Sequence, residues 1–105
     1  MRRVAVVTVG RSDYSILRPA LFEIDGHRGL ELCLIAGGAH SGRDKETSMA
    51  KILDDGFEIS ETVDSCVCGD DSADVCDAIS RGVKGFATAY GMVEPDIVLV
   101  CGDRF

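Results

Sequence analysis

Arg3-Val4-Ala5-Val6-Val7-Thr8-Val9-Gly10-Arg11-Ser12-Asp13 is the stretch on which the fold turns. Residues 3–9 are almost unbroken Val, Ala and Thr, with no polar alternation, which predicts a strand buried on both faces, as in a parallel sheet. Gly10 to Asp13 break that run. Tyr14–Ile24 then carries Ile16, Leu17, Ala20, Leu21 and Ile24 at spacings of three and four, one apolar face on a helix. Pro19 lies inside this segment and predicts a kink, or a helix that begins effectively near Leu17 or Arg18.

The same alternation continues outward. Gly26–Gly29 is a turn and Glu31–Ala36 a second strand, followed by the glycine-rich loop Gly37-Gly38-Ala39-His40-Ser41-Gly42. Lys45–Asp55 reads as a short helix through Met49, Ile52 and Leu53, stopped by Gly56. Phe57–Val63 reads as an edge strand with a phase break before Val63. After the polar loop Ser65–Asp71, a long helix runs from Ser72 through Ala73, Val75, Ile79, Val83, Phe86, Ala87 and Tyr90. Gly82 and Gly85 in it suit close packing. Pro95-Asp96 opens a last strand, Ile97–Cys101, expected to be buried on both faces.

The order β-α-β-α-β-α-β, without repeat, low-complexity tract or linker, specifies an α/β fold with a doubly wound, Rossmann-like parallel sheet. A strand order of 3-2-1-4 puts the topological switch point between strands 1 and 4. Ligands of such sheets bind outside the carboxyl ends of the strands that flank the switch. Those ends are Gly10-Arg11-Ser12-Asp13 and Gly102-Asp103-Arg104. A doubly wound domain normally continues past its fourth strand, so residues 1–105 are expected to be the first part of a longer protein.

Composition narrows the function. Eleven basic residues against eighteen acidic ones, a formal charge of −7, leave no counterion-release term for nucleic acid. No apolar run is long enough to span a membrane, and Val4–Val9 behind two arginines is too short for a signal-peptide core. Of five cysteines, Cys33 and Cys101 sit in apolar runs and read as small core residues. Cys66, Cys68 and Cys76 lack the spacing and the histidine partners of a zinc site, so reduced thiols in a cytoplasmic protein are expected. The acidic residues Asp70, Asp71, Asp74 and Asp77 read as helix-start charge, and no metal or cofactor is expected.

Three groups of residues could carry chemistry. Gly10–Ser15 offers helix N–H groups, a guanidinium and hydroxyls to a phosphate, although it is neither a G-x-G-x-x-G nor a Walker A sequence. The plainer alternative is that Asp13 or Ser12 caps the helix while Arg11 is solvated. Asp103 at a strand mouth can act as acid or base, with Arg104 to hold phosphate; the alternative is a surface turn. His40 could contact ligand or transfer protons, or be an ordinary loop histidine. His27, between Gly26 and Arg28, is expected at the surface.

Read together, residues 6–19 (V-V-T-V-G-R-S-D-Y-S-I-L-R-P), 34–40 (L-I-A-G-G-A-H), 55–59 (D-G-F-E-I) and 95–105 (P-D-I-V-L-V-C-G-D-R-F) resemble, in order and spacing, the start of UDP-N-acetylglucosamine 2-epimerases. Pro19 sits where that family usually has proline, and G-D-R-F is similar to the hydrolysing branch. The resemblance implies a two-domain GT-B-type fold with the active site in the cleft between domains, the second of them absent from this chain. It implies that UDP is eliminated from UDP-N-acetylglucosamine across C1–C2 and that water then adds to the glucal, giving N-acetylmannosamine with no redox cofactor. It assigns Arg11, Ser15 and Arg104 to UDP binding, and Asp103 and His40 to catalysis. A homo-oligomeric full-length enzyme of sialic acid biosynthesis is expected, with residues 1–105 inactive alone. Alternatives are a UDP-bacillosamine-type substrate, a GT-B glycosyltransferase, or a receiver-like module, the last opposed by Gly10-Arg11 where an acidic pair belongs.

Overall fold

In the computed structural model, residues 1–102 are described. They form β1 (Arg2–Thr8), α1 (Arg11–Asp25), β2 (Leu30–Ala36), a 3-10 turn (Gly38–Ser41), α2 (Lys45–Asp54), β3 (Ile59–Thr62), α3 (Ser72–Val93) and β4 (Ile97–Leu99). All strand pairings are parallel and the order is β3-β2-β1-β4, the order that follows when the fourth strand returns to the far side of the first. β1 and β2 pair along their whole length, from Arg2 opposite Leu30 to Thr8 opposite Ala36.

Alternate side chains of the central strands feed two cores. Val4 and Val6 of β1 and Leu34 of β2 pack with Tyr14, Leu17 and Leu21 of α1, Ile52 of α2, and Phe57. Ala5, Val7, Cys33 and Ile35 point the other way, to Val63 and to Ala89 and Val93 of α3. This two-sided burial is why β1 carries no polar alternation. The Cys33 thiol accordingly titrates above its ordinary range, first because it is buried.

Three expectations need correction. α1 starts at Arg11 and runs through Pro19, so it does not begin near Leu17. Proline removes the bond to the Ser15 carbonyl four residues back, but Ser15 and Pro19 are both exposed, so water can take that carbonyl. β3 is limited to Ile59–Thr62, and the phase break is a register shift: Leu34 faces Ile59 while Ile35 faces Glu61. That shift lets Phe57 and Val63 enter opposite cores.

The third correction concerns β4. It is shorter than expected, Ile97–Leu99, and not buried on both faces: Ile97 is 50% and Val100 64% exposed. β4 is the sheet edge among the described residues, so a run suited to double burial meets solvent. Elsewhere the local chemistry is as expected. Asp71 caps α3 by accepting the Asp74 N–H at 2.9 Å. At Gly85 a Cβ would come within 2.5 Å of Val63 Cγ1, so α3 crosses the sheet where only glycine lets it approach. His27 is exposed, its Nδ1 accepting the Gly29 N–H. No helix among the described residues is long and apolar enough to cross a membrane.

Candidate active site

The carboxyl ends of all four strands open on one rim. The β1 and β4 ends meet there: Gly10, Ser12, Asp13, Cys101 and Gly102 line one small hollow. Asp103 and Arg104 follow directly in sequence and lie outside the described residues. Their expected roles therefore have no geometry.

Beside this switch point is a polar cleft of about 560 Å³ between the loops after β1, β2 and β3. Arg11 enters it from the start of α1, and Arg43, Thr47 and Ser48 line it from the β2–α2 loop and α2. Asp44 lines it too, so the cleft is not uniformly positive. Both arginines are exposed, and neither guanidinium has an ion-pair partner among the described residues. Guanidinium groups held open in this way are suited to the oxygens of a diphosphate.

The backbone around Arg11 is tightly specified. Asp13, at the third position of α1, turns back and accepts the Val9 N–H at 2.9 Å, the Gly10 N–H at 3.1 Å and the Thr8 hydroxyl at 2.9 Å. Its carboxylate braces the turn that leads into Arg11, and Ser12 makes no capping bond. The first N–H groups of α1 stay free of intrahelical partners, as at any helix start, and face the rim. Ser15 is exposed one turn after Arg11, and its hydroxyl donates to the Arg11 carbonyl at 3.0 Å. Arg11 and Ser15 thus occupy one helix face, although only Arg11 lines the cleft.

His40 is not on the open surface, contrary to its expected contact with ligand. It is fully buried, its Nε2 3.0 Å from Thr8 Oγ1 and its Nδ1 2.7 Å from Ser48 Oγ. The Gly37–Gly42 loop folds inward because its backbone is tied down: Gly37 N–H bonds the Thr8 carbonyl, Ala39 N–H the Val9 carbonyl, and Gly38 N–H donates to Ser65 Oγ at 2.7 Å. Gly38 has φ +53, and a Cβ there would fall 2.7 Å from Val9 Cβ, so only glycine closes this turn. Burial lowers the His40 pKa, against the opposing influences of Asp13 and the Gly10 backbone.

Two clusters escaped the sequence. Asp55 accepts from the Tyr14 hydroxyl at 2.6 Å and from Arg18 Nε at 2.7 Å and Nη2 at 3.0 Å. Arg18, then Tyr14, hold its carboxyl well below the usual carboxylate range. Arg81 pins the β3–α3 loop, bonding Asp77, Asp64 and the Cys66 carbonyl. Arg43 was not singled out from the sequence either, although a cation just past a glycine-rich loop on the ligand rim is a usable signal.

Across the bound of this rim on the α3 side lies an apolar hollow of about 460 Å³, lined by Val83, Phe86, Tyr90 and Val100 among others. Among the described residues no group of three or more His, Cys, Asp or Glu side chains could hold a metal ion.

A family model described as UDP-N-acetylglucosamine 2-epimerase matches residues 22–105. The chain is 28% identical over 104 residues to the GDP/UDP-N,N'-diacetylbacillosamine 2-epimerase (hydrolyzing) of Campylobacter jejuni. It is 25% identical to the UDP-N,N'-diacetylbacillosamine 2-epimerase (hydrolyzing) of Legionella pneumophila and, again at 25%, to the UDP-N-acetylglucosamine 2-epimerase of Neisseria meningitidis. Each alignment takes in 99% of this chain but only 27–28% of the relative, so the chain spans about a quarter of their length. A crystal structure of a candidate UDP-N-acetylglucosamine 2-epimerase from Listeria monocytogenes shares the fold, with a TM-score of 0.75 and 18% identity, over 97% of this chain and 25% of that one.

Proposed function

The chain belongs to the UDP-N-acetylglucosamine 2-epimerase family, and from that premise we propose that it is the first part of the N-terminal domain of a two-domain hydrolysing epimerase. The enzyme would convert UDP-N-acetylglucosamine and water to N-acetylmannosamine and UDP. The observation that carries this is the pairing of Arg11 with the open start of α1 at the switch-point rim, in a cleft that Arg43 also lines.

The chemistry divides between two tasks. A base removes the C2 proton, the C2–H electrons form the C1=C2 double bond, and the C1–O bond breaks to release UDP. Water then adds its oxygen to C1 while a proton returns to C2 from the opposite face. The C2 proton is weakly acidic, so stabilising the departing diphosphate must share the barrier with proton removal. Arg11, Ser15 and Arg104 are proposed for the diphosphate, with Arg43 as a further contact, and Asp103 for proton transfer. Five free cysteines suit a reducing compartment, in keeping with a cytoplasmic enzyme that we expect to be a homo-oligomer.

A diacetylbacillosamine-type UDP sugar is the second reading, favoured by the names of the Campylobacter and Legionella relatives. The test is proton NMR of the complete gene product in D2O with each UDP sugar, beside residues 1–105 alone. N-acetylmannosamine deuterated at C2, together with free UDP, is the expected product from the complete protein only. Turnover of the bacillosamine sugar alone selects the second substrate, and turnover of neither refutes both. Arg11→Ala and Arg43→Ala should each raise KM about tenfold, the size of one lost charge-assisted hydrogen bond.

A further inference from the structure

The buried chain Ser48–His40–Thr8–Asp13 joins α2 to the turn that presents Arg11. Hydrogen-bond accounting fixes its polarity. The Thr8 hydroxyl has one proton, and the nearer acceptor for it is Asp13 Oδ1 at 2.9 Å, with the Gly10 carbonyl farther off at 3.5 Å. Toward His40 Nε2, 3.0 Å away, it can only accept, so Nε2 carries the ring hydrogen. In the neutral ring Nδ1 is then the acceptor, and the Ser48 hydroxyl donates to it across 2.7 Å. Every proton in the chain is used once, and no buried side-chain nitrogen or oxygen among the described residues is left without a partner.

Asp13 is the pivot. Its other bonds go to the N–H groups of Val9 and Gly10, the two residues before Arg11. Without the Thr8 hydroxyl pointed at it, the carboxylate loses the one donor that comes from the strand beneath rather than from the turn itself. The His40 Nε2–H, given to the Thr8 lone pair at 3.0 Å, favours the rotamer that aims the hydroxyl at Asp13.

We propose that His40 is a positioning residue that acts through Thr8 and Asp13 to hold the Val9-Gly10 turn, and with it Arg11, in the geometry that receives the diphosphate of the substrate. This rests on the proposed role of Arg11 in UDP binding. It replaces direct catalysis by His40, whose ring has no exposed atom.

UDP affinity of the complete enzyme, measured by titration calorimetry, tests this with variants that split the two ring nitrogens. Glutamine places an amide N–H near the Nε2 position and can still donate to Thr8; asparagine reaches only the Nδ1 position, toward Ser48. His40→Asn and Thr8→Val are each expected to weaken UDP about tenfold, while His40→Gln keeps wild-type affinity. A purely structural histidine would make the Asn and Gln variants alike, so equal affinities, or wild-type affinity in Thr8→Val, overturn the proposal. Arg11→Ala separates the two levels. If it weakens UDP but Thr8→Val and His40→Asn do not, only the positioning role fails. If it binds UDP like wild type, or if the wild-type enzyme does not bind UDP, the role of Arg11 fails and takes this proposal with it. Should the variants not fold, nitrogen-15 NMR of the wild-type His40 ring decides: an Nε2–H tautomer is expected, and an Nδ1–H tautomer refutes it.

Discussion

Two titratable residues, His40 and Asp55, make this protein sensitive to acid in separate ranges. His40 has a folded pKa below its ordinary value, because burial penalises the charged ring. The unfolded chain therefore binds the proton more readily, and the associated stability is present above about pH 6.5 and lost as pH falls below it. Asp55 is shifted in the same direction by Arg18 and Tyr14, so its contribution is present above about pH 4 and lost below. Melting temperature should fall in two stages on acidification. His40→Gln should remove the first stage and Asp55→Asn the second, read by thermal denaturation across pH. A single transition unaffected by either variant would show that these groups are not what couples stability to pH.

At the scale of elements, the ends of helices and strands do more than their interiors to build the rim. α1 has no side-chain cap at Gly10 and keeps its opening N–H groups for the rim, whereas α3 is capped by Asp71 and lies away from the polar cleft. The difference is testable. Asp71→Ala should cost about 1 kcal/mol of stability, measured by denaturant unfolding, and leave UDP affinity unchanged. Loss of UDP binding in that variant would mean that α3 and its loop shape the cleft more directly than Arg81's contacts indicate. The β2–α2 connection shows the opposite economy: a positive-φ glycine at Gly38 and three backbone bonds to neighbouring loops and strands fold His40 beneath the rim.

Among the described residues the two edges of the sheet differ in character. β3 is short and carries alternating exposed residues, which discourages pairing. β4 instead exposes Ile97 and Val98, and Val100 just after it is exposed against the apolar hollow under α3. Residues 1–105 alone should self-associate through this edge, and Val98→Lys with Val100→Lys should return them to monomer in light scattering. A wild-type chain that is monomeric at high concentration would show that the edge is protected.

Sequence periodicity was sufficient for the segment order, the two-faced burial of β1 and the rim that Arg11 enters, because these depend on neighbours close in the chain; the strand order β3-β2-β1-β4 needed in addition that β4 return to the far side of β1. The continuity of α1 through Pro19 was not legible, since it depends on the freed Ser15 carbonyl facing solvent. The burial of His40 was not legible either. Its partners, Thr8 and Ser48, lie 32 and 8 residues away, and only the packing of the β2–α2 loop over the end of β1 brings them to hydrogen-bond distance. Arg18 and Tyr14 likewise meet Asp55 only because α1 and α2 share one face of the sheet. Local pattern determines which residues form an element and which side they bury; the pairing of polar groups across elements depends on three-dimensional distance, which one-dimensional spacing does not encode.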